Sequence, residues 1–339
     1  MRVARLHAAG DLRLTDEPDP VPGPGESLVR VSAVGLCGSD LHWWTEGAIG
    51  DAVLTRPVVP GHEFGGVVIG GELDGRLVAV DPAIPCGGCE QCLEGNRNLC
   101  PRVKFAGHAS LDGPMRELIT WPTDRMYPLP DGFTGADAAV LEPLGVALHA
   151  VDLAHLRPAA TVAVVGLGPI GLLALQVARA SGATRVVGVD PLAHRAAAAL
   201  RYGAASAAAP AELATASARA DLLGGHGEAD VVIETAGTDD AVALCVRLAR
   251  PGARVMLAGI PDDDRTAFPA GEARRKGLTL VMVRRMKETY PRAIALVRQG
   301  LVDVRSLVTA TYPLDEAAAA FAAGAARGGL KVVVEPNRA

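Results

Sequence analysis

Aromatic residues are scarce in this sequence, and basic residues are not in excess. Phe, Trp and Tyr make up 4% of its 339 residues, and 33 Lys and Arg are outnumbered by 38 Asp and Glu, which leaves a formal net charge of -5. Nucleic-acid-binding proteins usually present a basic face, and single-strand binders stack bases on aromatic side chains. The composition therefore argues against a nucleic-acid partner. Hydrophobic residues at 49% and charged residues at 21% are typical of a globular protein.

A membrane partner is not expected either. Residues 1–7 lack the continuous apolar stretch of a signal peptide. The most apolar segment, residues 162–178, is interrupted by glycines and a proline, and it falls short of the roughly 20 residues that cross a bilayer. We interpret this segment as a buried strand that leads into a helix, and we expect a cytoplasmic location.

The chain is long for one domain, and its pattern changes near residue 145. The first part is rich in Gly and Pro with short β-branched runs at 27–31 and 65–69, which predicts an irregular all-β region. Further on, short apolar runs alternate with helical stretches, which predicts a parallel sheet covered on both faces. These runs lie at 161–166, 185–190, 230–235, 254–259 and 278–283. The Ala-rich stretch 204–220 is interpreted as a loose surface helix with its loops.

The last part of the chain, after about residue 285, predicts a helix at roughly 288–299, a strand at 307–311, another helix and a strand at 330–334. This tail is too short to fold alone. We therefore expect it to return to the first domain.

A glycine motif follows the first apolar run of the second part. Gly166, Gly168 and Gly171 form a GxGxxG between a predicted strand and a predicted helix, the context of a dinucleotide-binding turn. The helix N-terminus would offer N–H groups to the pyrophosphate. The next run ends in Asp190, whose carboxylate can accept from both ribose hydroxyls and repels a 2′-phosphate, although Arg195 lies one helical turn on. The sequence therefore favours NAD over NADP.

Four of the six cysteines lie close together, at Cys86, Cys89, Cys92 and Cys100. Four soft ligands on a short loop suit tetrahedral zinc, and a site without an open position is structural. An iron–sulfur cluster is the rival, because Cys100 precedes a proline as in bacterial ferredoxins, but the last spacing differs and no second quartet exists. Cys245 belongs to no motif.

A second candidate metal site comprises Cys37, His62 and Glu63. One thiolate, one imidazole and one carboxylate leave the fourth zinc position open, as catalysis requires. Neighbouring side chains on an extended strand point to opposite faces, so His62 and Glu63 can share a metal only on irregular backbone.

Taken together, these motifs resemble those of the zinc-containing medium-chain dehydrogenase/reductase superfamily, and within it the sorbitol (polyol) dehydrogenase branch. The resemblance runs essentially from end to end and includes the CGSDLH run at 37–42, the GHE at 61–63, the quartet, the LEPL at 141–144 and the GLGPIG at 166–171. It implies an α/β protein with a GroES-like, β-barrel-type catalytic domain (1–145 and 286–339, with a zinc lobe at about 84–102) and a doubly wound Rossmann domain (146–285).

The resemblance also implies roles for individual residues. Cys37, His62 and Glu63 would be the ligands of the catalytic zinc, with Glu142 competing as an exchangeable ligand or water partner, because the matching position in alcohol dehydrogenases is a cysteine ligand. Ser39 and His42 would relay the proton. The cofactor-binding positions would be Gly166, Gly168, Ile170, Gly171, Asp190, Arg195, Gly259, Ile260, Val283 and Arg285.

The expected substrate pocket departs from the polyol pattern at two positions. Arg285 keeps the arginine of an Arg–Tyr pair, but Met286 replaces the tyrosine, and Trp43 stands where a tyrosine is usual. Both changes remove a phenolic hydroxyl, which puts sorbitol itself in doubt. Whether Trp43 and Trp44 line the pocket or only pack stays open.

The sequence thus predicts a zinc-dependent, NAD-linked enzyme with two zinc ions per chain. It would oxidise a secondary alcohol of a polyol- or sugar-like substrate, or run the reverse, as a homodimer or homotetramer. The alternatives are threonine, aminocyclitol, butanediol or glucose dehydrogenases of the same superfamily. A zinc- or nucleotide-binding protein without catalysis is a further alternative.

Overall fold

The computed structural model describes residues 1–108, 111–225, 227–261 and 264–337. Its strands are β1 (Arg2–Ala8), β2 (Asp11–Asp16), β3 (Glu26–Gly35), β4 (Ala48–Ile49), β5 (Ala52–Val53), β6 (Glu63–Ile69), β7 (Leu77–Val80), β8 (Ala83–Ile84), β9 (Lys104–Phe105), β10 (Leu118–Pro122), β11 (Met126–Pro128), β12 (Thr161–Val165), β13 (Arg185–Val189), β14 (Ser206–Ala208), β15 (Ala229–Glu234), β16 (Ala249–Leu257), β17 (Thr279–Met282), β18 (Val308–Pro313) and β19 (Lys331–Glu335).

The helices are α1 (Gly38–Glu46), α2 (Glu90–Leu93), α3 (Gly135–Ala154), α4 (Pro169–Ala180), α5 (Ala193–Arg201), α6 (Ala216–Leu222), α7 (Asp239–Leu248), α8 (Ala270–Arg275), α9 (Tyr290–Arg298) and α10 (Ala317–Ala325). Among the described residues, no helix is both long enough and apolar enough to span a bilayer.

The chain divides into two compact units. Unit 1 comprises Met1–Glu142, Tyr290–Arg298 and Val304–Ala339, and unit 2 comprises Pro143–Thr289 and Gln299–Asp303. The division into domains at residues 145 and 285, and the function of each domain, stay predictions.

Unit 1 is built around a mixed seven-stranded sheet in the order β11-β7-β6-β3-β19-β18, with β10 also paired to β3. The C-terminal strand β19 is antiparallel to β3, with Val334 opposite Val34. Apolar side chains from β3, β6 and α10, among them Val31, Phe64 and Phe321, form its core. This sheet places the end of β3 opposite the start of β6, with Gly35 facing Glu63, and the candidate ligands Cys37, His62 and Glu63 lie at or next to these strand ends.

Unit 2 contains a six-stranded, wholly parallel sheet in the order β14-β13-β12-β15-β16-β17. Every residue of β12 is buried, as expected for a strand covered on both faces. The chain order of the strands reverses at β12, since β13 and β14 lie on one side of it and β15, β16 and β17 on the other. The crevice between β12 and β15 is therefore the switch point, where α/β sheets of this kind bind ligands.

One local interpretation was wrong. The Ala-rich stretch holds not only a surface helix but also β14, the sixth strand, which pairs with β13 through Ser206–Ala208. Alanine has little intrinsic preference for strands, so the pattern favours helix. Pairing with the exposed edge of β13 decides the conformation instead.

Candidate active site

Cys37 is fixed where a strand turns into a helix. It is the N-cap residue of α1, and its own backbone N–H donates to Asp40 Oδ2 over 3.0 Å. Asp40 stands at the third position of the helix, where an acidic side chain can satisfy a free N–H of the N-terminus. The local sequence thus places the Cys37 side chain at the start of α1.

Asp40 also connects this helix to the histidine. Its Oδ1 accepts the Gly61 N–H over 3.0 Å and lies 3.6 Å from Nδ1 of His62, and all of the Asp40 side chain is buried. Burial alone would raise the pKa of Asp40, but His62 and the N–H groups of Cys37 and Gly61 lower it overall. Burial lowers the pKa of His62, yet Asp40 and Cys37 raise it well above its ordinary value.

The backbone at Gly61 explains how two adjacent residues can face one ion. Gly61 has φ +95°, and a Cβ there would lie 2.7 Å from Cγ1 of Val34, so only glycine fits. β6 begins at Glu63, so His62 lies just outside the strand. The alternation of a regular strand therefore does not apply to His62 and Glu63.

The three predicted ligands come together. One ligand atom each from Cys37, His62 and Glu63 lies within 4.8 Å of the others, and His62 and Glu63 are buried. Zinc bonds of about 2.0 to 2.3 Å bring ligand atoms of this kind into such proximity. The donor set and its spacing fit one zinc ion with an open fourth position.

A lysine that the sequence analysis missed completes this site. Lys331 in β19 forms an ion pair with Glu63 Oε2 and donates to the carbonyl of Leu36 over 2.8 Å, and both charged side chains are 1% exposed. Removing one partner of such a buried pair costs about 3 to 5 kcal/mol. The signal was present in the sequence, since Lys331 is a single charge in the apolar run 330–334.

Glu142 is buried in α3, directly before a proline inside that helix. Burial, with a further contribution from the negative charge of Glu63, raises its pKa to about 8, although His62 and Lys331 act in the opposite direction. Among the described residues, the group that could hold an ion includes Glu63 and not Glu142.

The other predicted catalytic residues lie on α1. Ser39 is half-buried, and the His42 ring contacts Glu46 through Nδ1 and Oε1 at 3.1 Å. Trp43 is 1% exposed and packs with Leu6 and Val58. This environment supports a packing role for Trp43.

The two remaining substrate candidates belong to unit 2. Arg285 has φ +52°, an uncommon conformation for a residue with a side chain. Met286 is buried, and its sulfur accepts from Thr289 Oγ1 over 3.3 Å. Gly145 leaves the room that Met286 needs, since a Cβ there would collide with the sulfur.

The cysteine quartet forms a second candidate metal centre. The four sulfurs lie within 4.8 Å of one another, in a lobe closed by the pairing of β8 with β9. The Gly88 N–H, helped by Cys100 and Arg102, lowers the pKa of Cys86 to about 6. Arg102 donates to that sulfur over 3.2 Å. Four thiolates with such donors fit structural zinc.

The glycine motif forms a tight turn between β12 and α4. Gly166 has φ +91°, and a Cβ there would lie 2.8 Å from the Ala236 nitrogen. A Cβ on Gly171 would collide with the Gly166 carbonyl, whereas at Gly168 the space is open except for Arg195 at 3.7 Å. The turn thus packs closely at its first and third glycines and leaves its second accessible, as a pyrophosphate requires.

Asp190 lies at the end of β13 beside this turn. Its Oδ2 accepts the Leu167 N–H over 2.7 Å, and its Oδ1 accepts the Leu192 N–H over 2.9 Å. Arg195 Nη1 is 3.8 Å from Oδ2. The carboxylate is therefore oriented by backbone donors, with spare lone pairs for a ribose.

Comparison with known proteins agrees with this geometry. The family model described as alcohol dehydrogenase GroES-like domain matches residues 23–131, and that described as zinc-binding dehydrogenase matches residues 169–299. Sorbitol dehydrogenase of Bacillus subtilis (strain 168) is 33% identical over 346 residues, which cover 100% of this chain and 98% of the relative. The chain belongs to the zinc-containing medium-chain dehydrogenase/reductase family.

Solved structures of this family support the assignment. L-idonate 5-dehydrogenase of Escherichia coli K-12 has a TM-score of 0.90 at 27% identity, over 98% of this chain and 97% of the other. A protein of Sinorhizobium meliloti 1021, assigned as a zinc-binding dehydrogenase and solved with NADP bound, has a TM-score of 0.89 at 32% identity over 99% of each chain. The predicted fold class and the polyol dehydrogenase branch are thereby confirmed, and the chain is an oxidoreductase.

Proposed function

We propose that this medium-chain dehydrogenase oxidises a secondary alcohol of a polyol- or sugar-like substrate with NAD, and runs the reverse reduction. The observation that carries the proposal is the buried group of Cys37, His62 and Glu63, whose ligand atoms lie within 4.8 Å of one another. The similarity to proteins named sorbitol dehydrogenase and L-idonate 5-dehydrogenase supports the substrate class.

Cys37, His62 and Glu63 would hold the catalytic zinc, and the quartet would hold a structural zinc. When bound, the catalytic ion supplies a Lewis acid that lowers the pKa of a substrate hydroxyl. Asp40 orients the imidazole of His62, as carboxylates beside metal-bound histidines commonly do. Lys331 balances the charge of Glu63 and fixes its position.

The remaining polar groups would handle the proton. Ser39 and His42 lie three residues apart on α1, so their side chains lie on neighbouring parts of one helical face. The Ser39 hydroxyl can take a proton from the substrate and His42 can pass it to solvent. Glu142 is a second, exchangeable carboxylate, and its raised pKa suits a group that changes its protonation near neutral pH.

NAD is the favoured cofactor because Asp190 presents a carboxylate at the end of β13. The S. meliloti protein was solved with NADP, so the family accommodates both dinucleotides. In this chain a 2′-phosphate would meet the negative charge of Asp190, although Arg195 stands nearby. Nicotinamide accepts the hydride, and the protein supplies the geometry.

We extend the proposal to domains, assembly and location. Residues 1–145 and 286–339 would form the catalytic domain, and residues 146–285 the nucleotide-binding domain. β17 ends the parallel sheet, and Met282 on it is 67% exposed, which suits pairing with a second copy in a homodimer or homotetramer. A quartet that binds zinc through its cysteines instead of forming disulfides is typical of a reducing compartment, which supports the cytoplasm.

Initial rates on polyols, sugar acids, amino alcohols and aldoses, each with NAD and NADP, test this proposal. We expect the highest kcat/KM on a polyol-type secondary alcohol with NAD, and two zinc ions per chain by mass spectrometry. Preference for threonine, an aminocyclitol, butanediol or glucose would replace the substrate class only. Two zinc ions without activity on any secondary alcohol would overturn the enzyme proposal and favour a non-catalytic binding protein.

A further inference from the structure

Glu234 is a buried carboxylate that the proposed reaction does not use. It is the last residue of β15 and is 1% exposed. Its Oε1 accepts the N–H groups of Ala236 and Gly237, each over 2.6 Å, and its Oε2 accepts the Gly259 N–H over 3.3 Å. One side chain therefore ties together the loop that follows β15 and the loop that follows β16.

These two loops approach each other too closely for any residue but glycine. A Cβ on Gly259 would lie 2.6 Å from the Gly237 Cα and 2.8 Å from Glu234 Oε2. A Cβ on Gly237 would lie 2.9 Å from the Ile260 carbonyl carbon. The backbone on both sides of the carboxylate thus has no room for a side chain at Gly237 or Gly259.

The same loops are joined to the pyrophosphate turn. Thr235 donates its N–H to the Val165 carbonyl and its hydroxyl to the Gly166 carbonyl, both over 2.8 Å. A shift of the segment after β15 would therefore also move the backbone of Gly166. Glu234 therefore bonds directly to the loops after β15 and β16, and through Thr235 the first of these loops is connected to the pyrophosphate turn.

The order of the strands decides which part of the cofactor these loops face. Asp190, the ribose carboxylate, follows β13, and the pyrophosphate turn follows β12. β15 and β16 lie on the other side of β12 from β13. A dinucleotide bound across the carboxyl ends of the strands, with its adenosine at β13, has its nicotinamide half over the ends of β15 and β16.

We propose that Glu234 is a positioning residue for the nicotinamide half of the cofactor, acting through the N–H groups of Ala236, Gly237 and Gly259. The inference rests on the proposed function, because it requires a bound dinucleotide. It assigns to the carboxylate a role in cofactor geometry in addition to the stability of the loops.

Glu234→Gln tests the proposal, because an amide has only one oxygen to accept with, and its NH2 group would face an N–H donor. A buried donor left without an acceptor costs about 1 to 3 kcal/mol, so the loops should leave their parent positions. If returning them to these positions around the nicotinamide costs about 1.4 kcal/mol, binding weakens about tenfold. We expect the dissociation constant of NADH to rise at least about tenfold, whereas that of ADP-ribose, which lacks the nicotinamide, stays within about threefold. Titration of NADH fluorescence, and competition by ADP-ribose, measure both constants.

Two further variants control for folding. Leu248→Ala truncates a fully buried side chain at the end of α7, next to the amino ends of β15 and β16, whereas Glu234 is at the carboxyl end of β15; it should lower the Tm while leaving both constants unchanged. Gly259→Ala keeps the carboxylate but forces the loops apart, and should reproduce the selective loss of NADH. It provides the test if Glu234→Gln does not fold.

The outcomes separate the two proposals. Selective loss of NADH in Glu234→Gln or Gly259→Ala supports the positioning role. Unchanged NADH binding, or equal loss of NADH and ADP-ribose, overturns it while the proposed function stands. A parent protein that binds neither ligand overturns both.

Discussion

Replacing Asp190 by alanine should reverse or abolish the preference for NAD. The carboxylate is buried at the end of β13 and accepts the N–H of Leu167, the second residue of the glycine turn. Alanine removes the acceptor for the adenosine ribose hydroxyls and the negative charge that a 2′-phosphate would meet. The same change leaves the Leu167 and Leu192 N–H groups without their acceptor.

The magnitude follows from these contacts. Hydrogen bonds to a charged group contribute about 1.5 to 3 kcal/mol, so kcat/KM for NAD should fall about 10- to 150-fold. Loss of the acceptor for Leu167 loosens the turn for NAD and NADP alike and cancels in their ratio. The NAD/NADP ratio therefore reports the ribose contact and the charge, and we expect it to fall at least about tenfold.

Arg195 allows a second variant to check the cause. Its Nη1 lies 3.8 Å from Asp190 Oδ2 in the parent, so a 2′-phosphate in Asp190→Ala would find this guanidinium nearby. Asp190→Ala combined with Arg195→Leu should lose the gain in NADP activity, while NAD activity stays near that of the single variant. A ratio that Asp190→Ala leaves unchanged, in a folded protein with two zinc ions, would refute the reasoning.

Three other predictions concern the metal sites and the fold. Gly61→Ala should destabilise the protein by more than about 1 kcal/mol and weaken zinc binding, because φ +95° and the 2.7 Å approach to Val34 force the histidine loop to move; unchanged zinc content after dialysis would contradict this. Cys37→Ser should leave one zinc ion per chain, abolish activity and keep the Tm. Cys86→Ser should also leave one zinc ion per chain but lower the Tm. Equal effects on the Tm would contradict the division into one catalytic and one structural site. Hydrogen bonds from an arginine and from a threonine N–H lower the pKa of Asp137 against the effect of its burial. Its contribution to stability should therefore be present above about pH 4, the ordinary range of an unfolded aspartate, and be lost as pH falls below it. In urea unfolding, the free-energy difference between the parent and Asp137→Asn should shrink on acidification, and a constant difference would contradict the assignment.

Short motifs carried most of what could be predicted about the metal sites. Cys37 precedes α1, His62 precedes β6 and Glu63 begins β6, so each candidate ligand belongs to a short motif that can be recognised from a few neighbouring residues. Asp40 was also within reach of the sequence, since an acid three residues after an N-cap is a known capping spacing. Its second contact, to His62, depends on how β3 and β6 pair.

Contacts between distant parts of the chain could not be predicted in the same way. Lys331 pairs with Glu63 because β19 lies next to β3 in the sheet. The residues around Glu63 in the sequence do not indicate that its partner comes from the C-terminal strand. β14 was missed for a related reason, since its alanines favour helix and only pairing with β13 makes them a strand. In both cases tertiary pairing outweighs the local signal.

The charged side chains around Glu63 come from distant parts of the chain, and they influence one another's ionisation. Two carboxylates, Glu63 and Glu142, are buried in one region, where the side chains of His62 and Lys331 both act to lower the pKa of Glu142. Because like charges in a buried place cannot both ionise cheaply, the negative charge of Glu63 adds to the effect of burial and raises the pKa of Glu142. Lys331 pairs with Glu63, whereas burial and the negative charge of Glu63 raise the pKa of Glu142 to about 8.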